Sequence, residues 1–244
     1  MSVAPHFALL ADLGDFGDAI NFILHGTHAK VSGAQRLGGL GTIWALTVTH
    51  LKVTGMAMGL GIGFALPLGV ALGHFNKGEL FAVAAGNAGR AVPELAIIAF
   101  MATVIGVGTR NVTIALAILA VPPILTNSFV AVRQVDPGVV QAARGVGMTT
   151  WKVITRVELP LAVPTIMGGI RTSTINVVAT ATIAPLAGVL TLGDLIIQPG
   201  VYGQVGVIAG AICVAVLALT LELGLAGLQR LLTSPGLRLA RATA

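Results

Sequence analysis

Charged side chains are scarce in this chain, so the few that interrupt its apolar stretches are the first candidates for a chemical role. The 244 residues include 14 Lys and Arg and 9 Asp and Glu. Arg90 and Glu94 lie four residues apart on either side of Pro93, so they can pair across a kinked helix. In a membrane-embedded helix such a pair either braces the break or lines a permeation path, since ionisable groups there usually face protein or water.

Polar amides and hydroxyls form a second set of candidates within the apolar stretches. Most such groups make hydrogen bonds between helices, and some line the path of a polar solute. The candidate residues of a translocation path are therefore Asn87, Arg90, Glu94, Asn127, Asn176 and Thr180. Arg171 either snorkels to the membrane surface or faces an inner vestibule, and Glu222 receives no role because it can reach Arg230 only if its helix bends.

The sequence lacks the residue patterns that several classes of enzyme require. Each of the four lysines is followed by Val or Gly, whereas a phosphate-binding loop needs Lys followed by Ser or Thr. No HExxH or GxSxG sequence occurs, and the His25 and His28 pair has no third ligand nearby. Cys213 is the one cysteine, so neither an intrachain disulfide nor a Cys metal cluster is possible. We therefore expect a non-catalytic chain without a metal or cofactor of its own.

The most informative polar segment is 134–160. Asp136 followed by Pro137 is a good helix start, and Gly145 and Gly147 then end that helix. A second short helix, capped by Thr149 or Thr150, is predicted to run to Leu159, where Pro160 opens the next span. The product is a basic, amphipathic helix-turn-helix that is suited to docking on a partner.

The elements that position these residues are membrane spans. The chain is 55% hydrophobic and 9% charged, its mean hydropathy is +0.94, and it contains uncharged stretches of about 20 residues, enough to cross the hydrocarbon core. This predicts an all-α polytopic membrane protein with about five transmembrane helices. The predicted spans are residues 53–72, 80–108 in two pieces around Pro93, 112–132, 161–184 and 201–221. Residues 186–199 form a short membrane-surface or partly inserted element.

Glycines at four-residue spacing in the first span offer a close-packing face. Gly55, Gly59 and Gly63, followed by Gly69 and Gly73, serve either packing within the chain or a dimer seam.

The basic residues indicate orientation. If 134–160 is cytoplasmic, five spans place the N-terminus outside and the C-terminus inside, with nine Lys and Arg on the inner side and four on the outer side. Residues 1–42 are then an extracytoplasmic amphipathic segment, 43–232 the transmembrane domain, and 233–244 a cytoplasmic tail. The net charge of +5 thus reflects topology, and no nucleic-acid partner is expected.

The segment 134–160 resembles the signature loop of permease subunits of binding-protein-dependent ABC importers, EAA-x3-G-x9-I-x-LP. Gln141, Ala142, Ala143, Gly147, Val157, Leu159 and Pro160 occupy the pattern's positions, with Gln141 for Glu and Val157 for Ile. The flanking residues are similar to the osmoprotectant branch, and the similarity covers roughly residues 46–232. It implies the type I importer permease fold. It also implies coupling to an ATPase subunit through Gln141, Ala142, Ala143, Gly147, Met148, Trp151, Leu159 and Pro160.

The resemblance also implies partners and a substrate class. The chain would form half of the translocation path for glycine betaine, carnitine, choline or proline betaine, paired in the cell membrane with a second permease subunit of the same or similar kind. Cytoplasmic ABC ATPase subunits would bind ATP and Mg²⁺. Because aromatic residues are few, an aromatic cage for a quaternary ammonium ion is not expected here, and an extracytoplasmic binding protein would select the solute.

Two alternatives stay open. The first is an ABC importer permease for another small polar solute, such as an amino acid or a sulfonate. The second is an ATP-independent channel or secondary carrier, which predicts matching broken helices in two halves of the chain or ionisable groups aligned along a path.

Overall fold

The computed structural model describes residues 13–28, 36–80, 82, 84, 86, 87, 92–234 and 236. Its α-helices are α1 Leu13–His25, α2 Gly39–His74, α3 Glu94–Ile105, α4 Thr109–Arg133, α5 Pro137–Gly145, α6 Thr150–Val153, α7 Leu159–Thr180, α8 Gly193–Ile197 and α9 Pro199–Leu232. Two short strands, β1 Thr27–His28 and β2 Arg36–Leu37, pair antiparallel. A π-helical turn, Ile154–Glu158, joins α6 to α7, and a 3-10 helix, Ala181–Ala187, follows α7.

The predicted membrane architecture is confirmed. Within the described residues, four helical segments are long and apolar enough to cross a membrane: Gly39–His74, Thr109–Arg133, Thr150–Ala187 and Pro199–Leu232. In the remaining predicted span, 80–108, the predicted break is present at residues 92 and 93, which are not helical; residues 81, 83, 85 and 88–91 lie outside the described part of the chain. Its second piece, α3, has 12 residues and is about 18 Å long, too short to cross the hydrocarbon core alone. The described residues thus contain four membrane-length helical segments where about five were predicted, with α3 as a further short apolar helix.

The first span begins earlier than predicted. α2 starts at Gly39, so the predicted span 53–72 is only its second half. The polar residues His50 and Lys52 do not end the helix, because His50 is buried and donates to the Val178 carbonyl oxygen (3.0 Å) while Lys52 is exposed.

Pro160 lies in the first turn of α7, as predicted, but no break separates α7 from the turns before it. Thr150–Ala187 is one continuous helical segment of 38 residues. A proline ring collides with the carbonyl group four residues earlier in an α-helix, and the wider π-turn Ile154–Glu158 accommodates it. The Leu159 N–H accordingly bonds to the Ile154 carbonyl, five residues back.

The main core lies where α4 packs between α2 and α7. Part of the glycine face of α2 makes this packing close: a Cβ added at Gly69 would lie 2.7 Å from the Leu125 carbonyl oxygen, and one at Gly73 would lie 2.8 Å from that of Phe129. Among the described residues, no atom lies within 4 Å of a Cβ added at Gly59, and the same is true of Gly55 and Gly63. Packing within the chain therefore accounts only for the last two glycines of the series.

A second core forms at the opposite end from segment 134–160. It joins α1, α8 and α9 through residues that include Phe22, Leu192, Leu195 and Ala209. Since Leu192 and Leu195 are fully buried, residues around α8 fold back into the bundle and do not lie along its surface. α1 buries Phe22 in this core and exposes Phe16, Ile20 and Leu24.

Candidate functional site

The loop 134–160 begins with the helix start that the sequence predicts. The Asp136 carboxylate accepts a hydrogen bond from the Gly138 N–H (2.7 Å), and Pro137 occupies the first turn of α5. This cap satisfies one of the free N–H groups at the start of the helix.

α5 ends in a Schellman motif. The Gly147 N–H bonds to the Arg144 carbonyl (2.9 Å), and the Met148 N–H bonds to the Ala143 carbonyl (3.1 Å). Gly147 has a φ of +82°, in the left-handed region that glycine adopts without strain. The positive φ thus favours a glycine at position 147, and the turn there sets the orientation of α6 relative to α5.

The tip of the loop exposes apolar side chains. Val146 is 77% exposed and Trp151 is 73% exposed, whereas Ala143 is buried. Basic residues accompany them on the surface: Arg144, Lys152 and Arg156. The other predicted coupling residues lie at varied depths: Gln141, Ala142 and Pro160 are exposed, while Met148 and Leu159 are half-buried. An exposed apolar tip with a basic rim is typical of a surface that a protein partner covers.

A buried polar pair, which the sequence analysis did not predict, ties this loop to the bundle. His74, the last residue of α2, donates from Nδ1 to Glu158 Oε2 at 2.7 Å, and the two side chains are 2% and 5% exposed. Both residues line a cleft of about 330 Å³ that also includes Gln141 and Arg144 of the loop. A signal was present in the position of Glu158, an acidic residue directly before Leu159 in an apolar setting.

A second polar cluster joins α7 to α9. The Arg171 guanidinium donates to Glu222 through Nε (3.0 Å) and to Gln229 through Nη1 (2.7 Å). Gln229 in turn donates to the Pro164 carbonyl (3.2 Å). Arg171 thus has protein partners rather than only snorkelling, and Glu222 pairs with it across two helices instead of remaining without a role.

The structure brings most of the predicted path residues to one cavity. This cavity of about 280 Å³ lies between α3, α4 and α7 and is lined by Gly86, Asn87, Glu94, Leu119, Pro122, Pro123, Thr126, Asn127, Thr172 and Asn176. The lining residues of α4 and α7 come from the central turns of the long helical segments. Polar side chains thus line an open cavity together with Leu119, Pro122 and Pro123, and Asn87, Glu94, Thr172 and Asn176 are exposed in this chain. A polar lining among apolar helices suits the passage of a polar solute.

Glu94 and Thr180 meet beside this cavity. The Thr180 hydroxyl donates to Glu94 Oε2 at 2.6 Å, which links α7 to the first residue of α3. Thr180 is buried and is not among the lining residues. The proposed pairing of Glu94 with Arg90 cannot be described, because Arg90 lies outside the described residues.

The geometry of the cavity also depends on a close helix crossing. A Cβ added at Gly169 of α7 would lie 2.5 Å from Asn127 Cβ and 2.9 Å from the Pro123 carbonyl oxygen. Asn127 is held by a hydrogen bond from its Nδ2 to the same Pro123 carbonyl (2.8 Å).

Within the described residues, no group of three or more His, Cys, Asp or Glu side chains is placed to hold a metal ion. His25, one of the two histidines considered for such a site, bonds to Asn21 Oδ1 at 2.7 Å.

Known proteins match this chain over most of its length. The family described as binding-protein-dependent transport system inner membrane component matches residues 61–234. The carnitine transport permease protein OpuCB of Listeria monocytogenes is 41% identical over 196 residues, 80% of this chain and 90% of that protein. The glycine betaine/carnitine/choline transport system permease protein OpuCB of Bacillus subtilis (strain 168) is 40% identical over 193 residues, 79% of this chain and 89% of that protein.

A solved structure shares the fold. The inward-facing MetNI methionine ABC transporter matches with a TM-score of 0.70 at 20% identity, covering 80% of this chain and 98% of the matched chain. With its four long apolar helices, the protein is a multi-pass protein of the inner membrane. It belongs to the family of binding-protein-dependent transport system inner membrane components.

Proposed function

We propose that this chain forms half of the translocation path of an ATP-driven importer for a quaternary ammonium compatible solute, such as glycine betaine, carnitine, choline or proline betaine. The substrate class is supported by relatives at 38% to 41% identity, whose names refer to carnitine, glycine betaine and choline transport. The observation that carries the ATP-driven mechanism is the loop 134–160, with its exposed apolar tip and fixed turn.

The loop is the coupling element in this proposal. Val146 and Trp151 at its tip would seat in a groove of a cytoplasmic ATPase subunit, with Arg144 and Lys152 at the rim. Gln141 is exposed and lacks the charge of a glutamate, so it would contact the ATPase through hydrogen bonds rather than an ion pair.

The fold offers a direct mechanical route from this loop to the cavity. Thr150–Ala187 contains both Trp151 at the tip and Thr172 in the cavity wall, which are separated by roughly 30 Å along one helical segment. The His74 and Glu158 pair ties the same segment to α2. A displacement of the loop by ATP-driven closure would therefore move the cavity wall with it.

The proposal requires three kinds of partner. ATP and Mg²⁺ would be bound by separate ATPase subunits, a second permease subunit of the same or similar kind would complete the path, and an extracytoplasmic binding protein would deliver the solute. The loop would face the cytoplasm, with the N-terminus outside, in agreement with the excess of basic residues on that side.

Val146→Asp tests the coupling role of the loop. A charge at the centre of a covered apolar surface would be desolvated without a partner, so we expect the ATPase subunit no longer to co-purify with the permease from detergent. The membrane protein should remain folded, since Val146 is exposed in this chain.

Val107→Asp is the matched control. Val107 is 72% exposed and lies between α3 and α4, at the opposite end of α4 from the loop. This variant should retain the ATPase subunit. Equal retention of the ATPase by both variants would contradict the proposed coupling surface.

A further inference from the structure

The charged and polar residues that line the cavity between α3, α4 and α7 favour a positively charged ligand group. Among the described residues that line it, Glu94 is the only ionisable one. Its other polar groups are amides and hydroxyls: Asn87, Thr126, Asn127, Thr172 and Asn176. The described lining therefore presents one negative charge among uncharged polar groups.

The Glu94 carboxylate is oriented by a hydrogen bond and has no cationic partner among the described residues. Its Oε2 accepts the Thr180 hydroxyl at 2.6 Å, and Thr180 is itself buried in the bundle. Within the described part of the chain, no Lys, Arg or His forms an ion pair with Glu94, and Oε1 accepts no hydrogen bond. One oxygen is thus fixed by the protein, and the other is available to a ligand.

Two lining side chains near Glu94 each use a donor on a backbone carbonyl. Asn127 Nδ2 donates to the Pro123 carbonyl, and Thr126 Oγ1 donates to the Ala82 carbonyl at 2.9 Å. Among the described residues, neither Asn127 Oδ1 nor Thr126 Oγ1 accepts a hydrogen bond, so both residues contribute unused acceptor oxygens to the lining. Acceptor oxygens beside a carboxylate favour a positively charged group.

A quaternary ammonium group fits this wall. It carries a positive charge but no N–H, so a single oriented carboxylate attracts it without needing a matching set of acceptors. Among the described lining residues there is no aromatic side chain, so the strong binding of an aromatic cage is absent. Binding that is favourable but weak is what a translocation path needs in order to release its cargo.

From this geometry we infer that Glu94, positioned by Thr180, receives the quaternary ammonium group of the solute as it passes through the membrane. This inference rests on the proposed function. It assigns Glu94 direct contact with the solute and Thr180 the role of a positioning residue.

The test uses the complete complex of permease, ATPase and binding protein in proteoliposomes. Uptake of radiolabelled glycine betaine, carnitine and choline is measured in parallel with ATP hydrolysis. Glu94→Gln keeps the size of the side chain and an acceptor for Thr180 but removes the charge. For each solute that the wild-type complex imports, uptake should fall about tenfold while ATP hydrolysis stays within about twofold of wild type.

Two further variants separate a contact with the solute from a structural role. Glu94→Asp keeps the charge and should recover a substantial part of the uptake. Glu79→Gln removes a carboxylate outside the cavity, one that pairs with Arg133, and should leave uptake unchanged.

Wild-type uptake by Glu94→Gln would overturn this inference and leave the proposed function intact. A parallel loss of uptake and ATP hydrolysis in both Glu94→Gln and Glu94→Asp would also overturn it, since that result indicates a damaged fold. If the wild-type complex imports none of the three solutes, the proposed substrate class fails, and this inference fails with it.

Discussion

At the residue scale, the buried hydrogen bond between His74 and Glu158 should contribute strongly to the stability of the fold. Both side chains are almost fully buried, so removing one partner leaves the other without compensation. His74→Leu should lower the free energy of unfolding by about 3 kcal/mol. The change can be measured by thermal or denaturant unfolding of the protein in detergent.

The double variant His74→Leu, Glu158→Leu provides the control. It removes both polar groups from the buried site and should recover most of the stability that His74→Leu loses. Unfolding of His74→Leu at the wild-type midpoint would show that the pair does not hold α2 to the loop.

Arg171 and Glu222 show why single-residue roles were hard to predict. The sequence gives the neighbours of Glu222 along its own helix, and Arg230 was unsuitable there. Its actual partner is on α7, and both residues lie about three turns from the loop-side ends of their helices. Arg171 and Glu222 lie at a similar depth in the antiparallel helices α7 and α9, which makes a pairing possible. Whether the two side chains face each other depends on how the helices pack.

At the scale of elements, close approach of α2 to α4 yields a sharp prediction. Gly69→Ala places a methyl group 2.7 Å from the Leu125 carbonyl oxygen, which belongs to the backbone and cannot rotate away. The helices must separate, and we expect a loss of about 1–3 kcal/mol in unfolding free energy.

Gly59→Ala is the matched control on the same helix. Its added methyl group meets no atom of the described residues within 4 Å, so alanine should leave stability unchanged or raise it by about 0.5–1 kcal/mol through its higher helix propensity. Both variants are compared by unfolding in detergent. An equal effect of the two substitutions would contradict the close crossing.

Pro93 and Pro160 show how far helix ends can be predicted from the local sequence. Pro93 lies at a true break, with residues 92 and 93 non-helical, as its position beside charged residues predicted. Pro160 lies in the first turn of α7, as predicted, but the π-turn before it joins α7 to α6 without a break. The difference depends on hydrogen bonding around each proline, which is not visible in the residue types.

At the scale of the whole molecule, hydropathy and the loop pattern predicted the membrane class, the family and the turn at Gly147. The start of α2 at Gly39 was missed because His50 is polar, and only the packed structure supplies its partner, the Val178 carbonyl. Burial of Leu192 and Leu195 was missed because it depends on α8 folding back onto α9. Asn127, Asn176 and Glu94 could be selected from sequence as polar groups in apolar runs, but their meeting at one cavity is a tertiary result.

The central claim is that this chain imports a quaternary ammonium solute only when an ATPase drives it through the loop 134–160. The most direct test is uptake of radiolabelled glycine betaine, carnitine and choline into proteoliposomes that contain the permease, ATPase and binding protein. We predict that import of at least one of them requires ATP and the binding protein, and that Val146→Asp abolishes it. Uptake that continues without ATP while an ion gradient is maintained would contradict the claim and indicate a channel or secondary carrier.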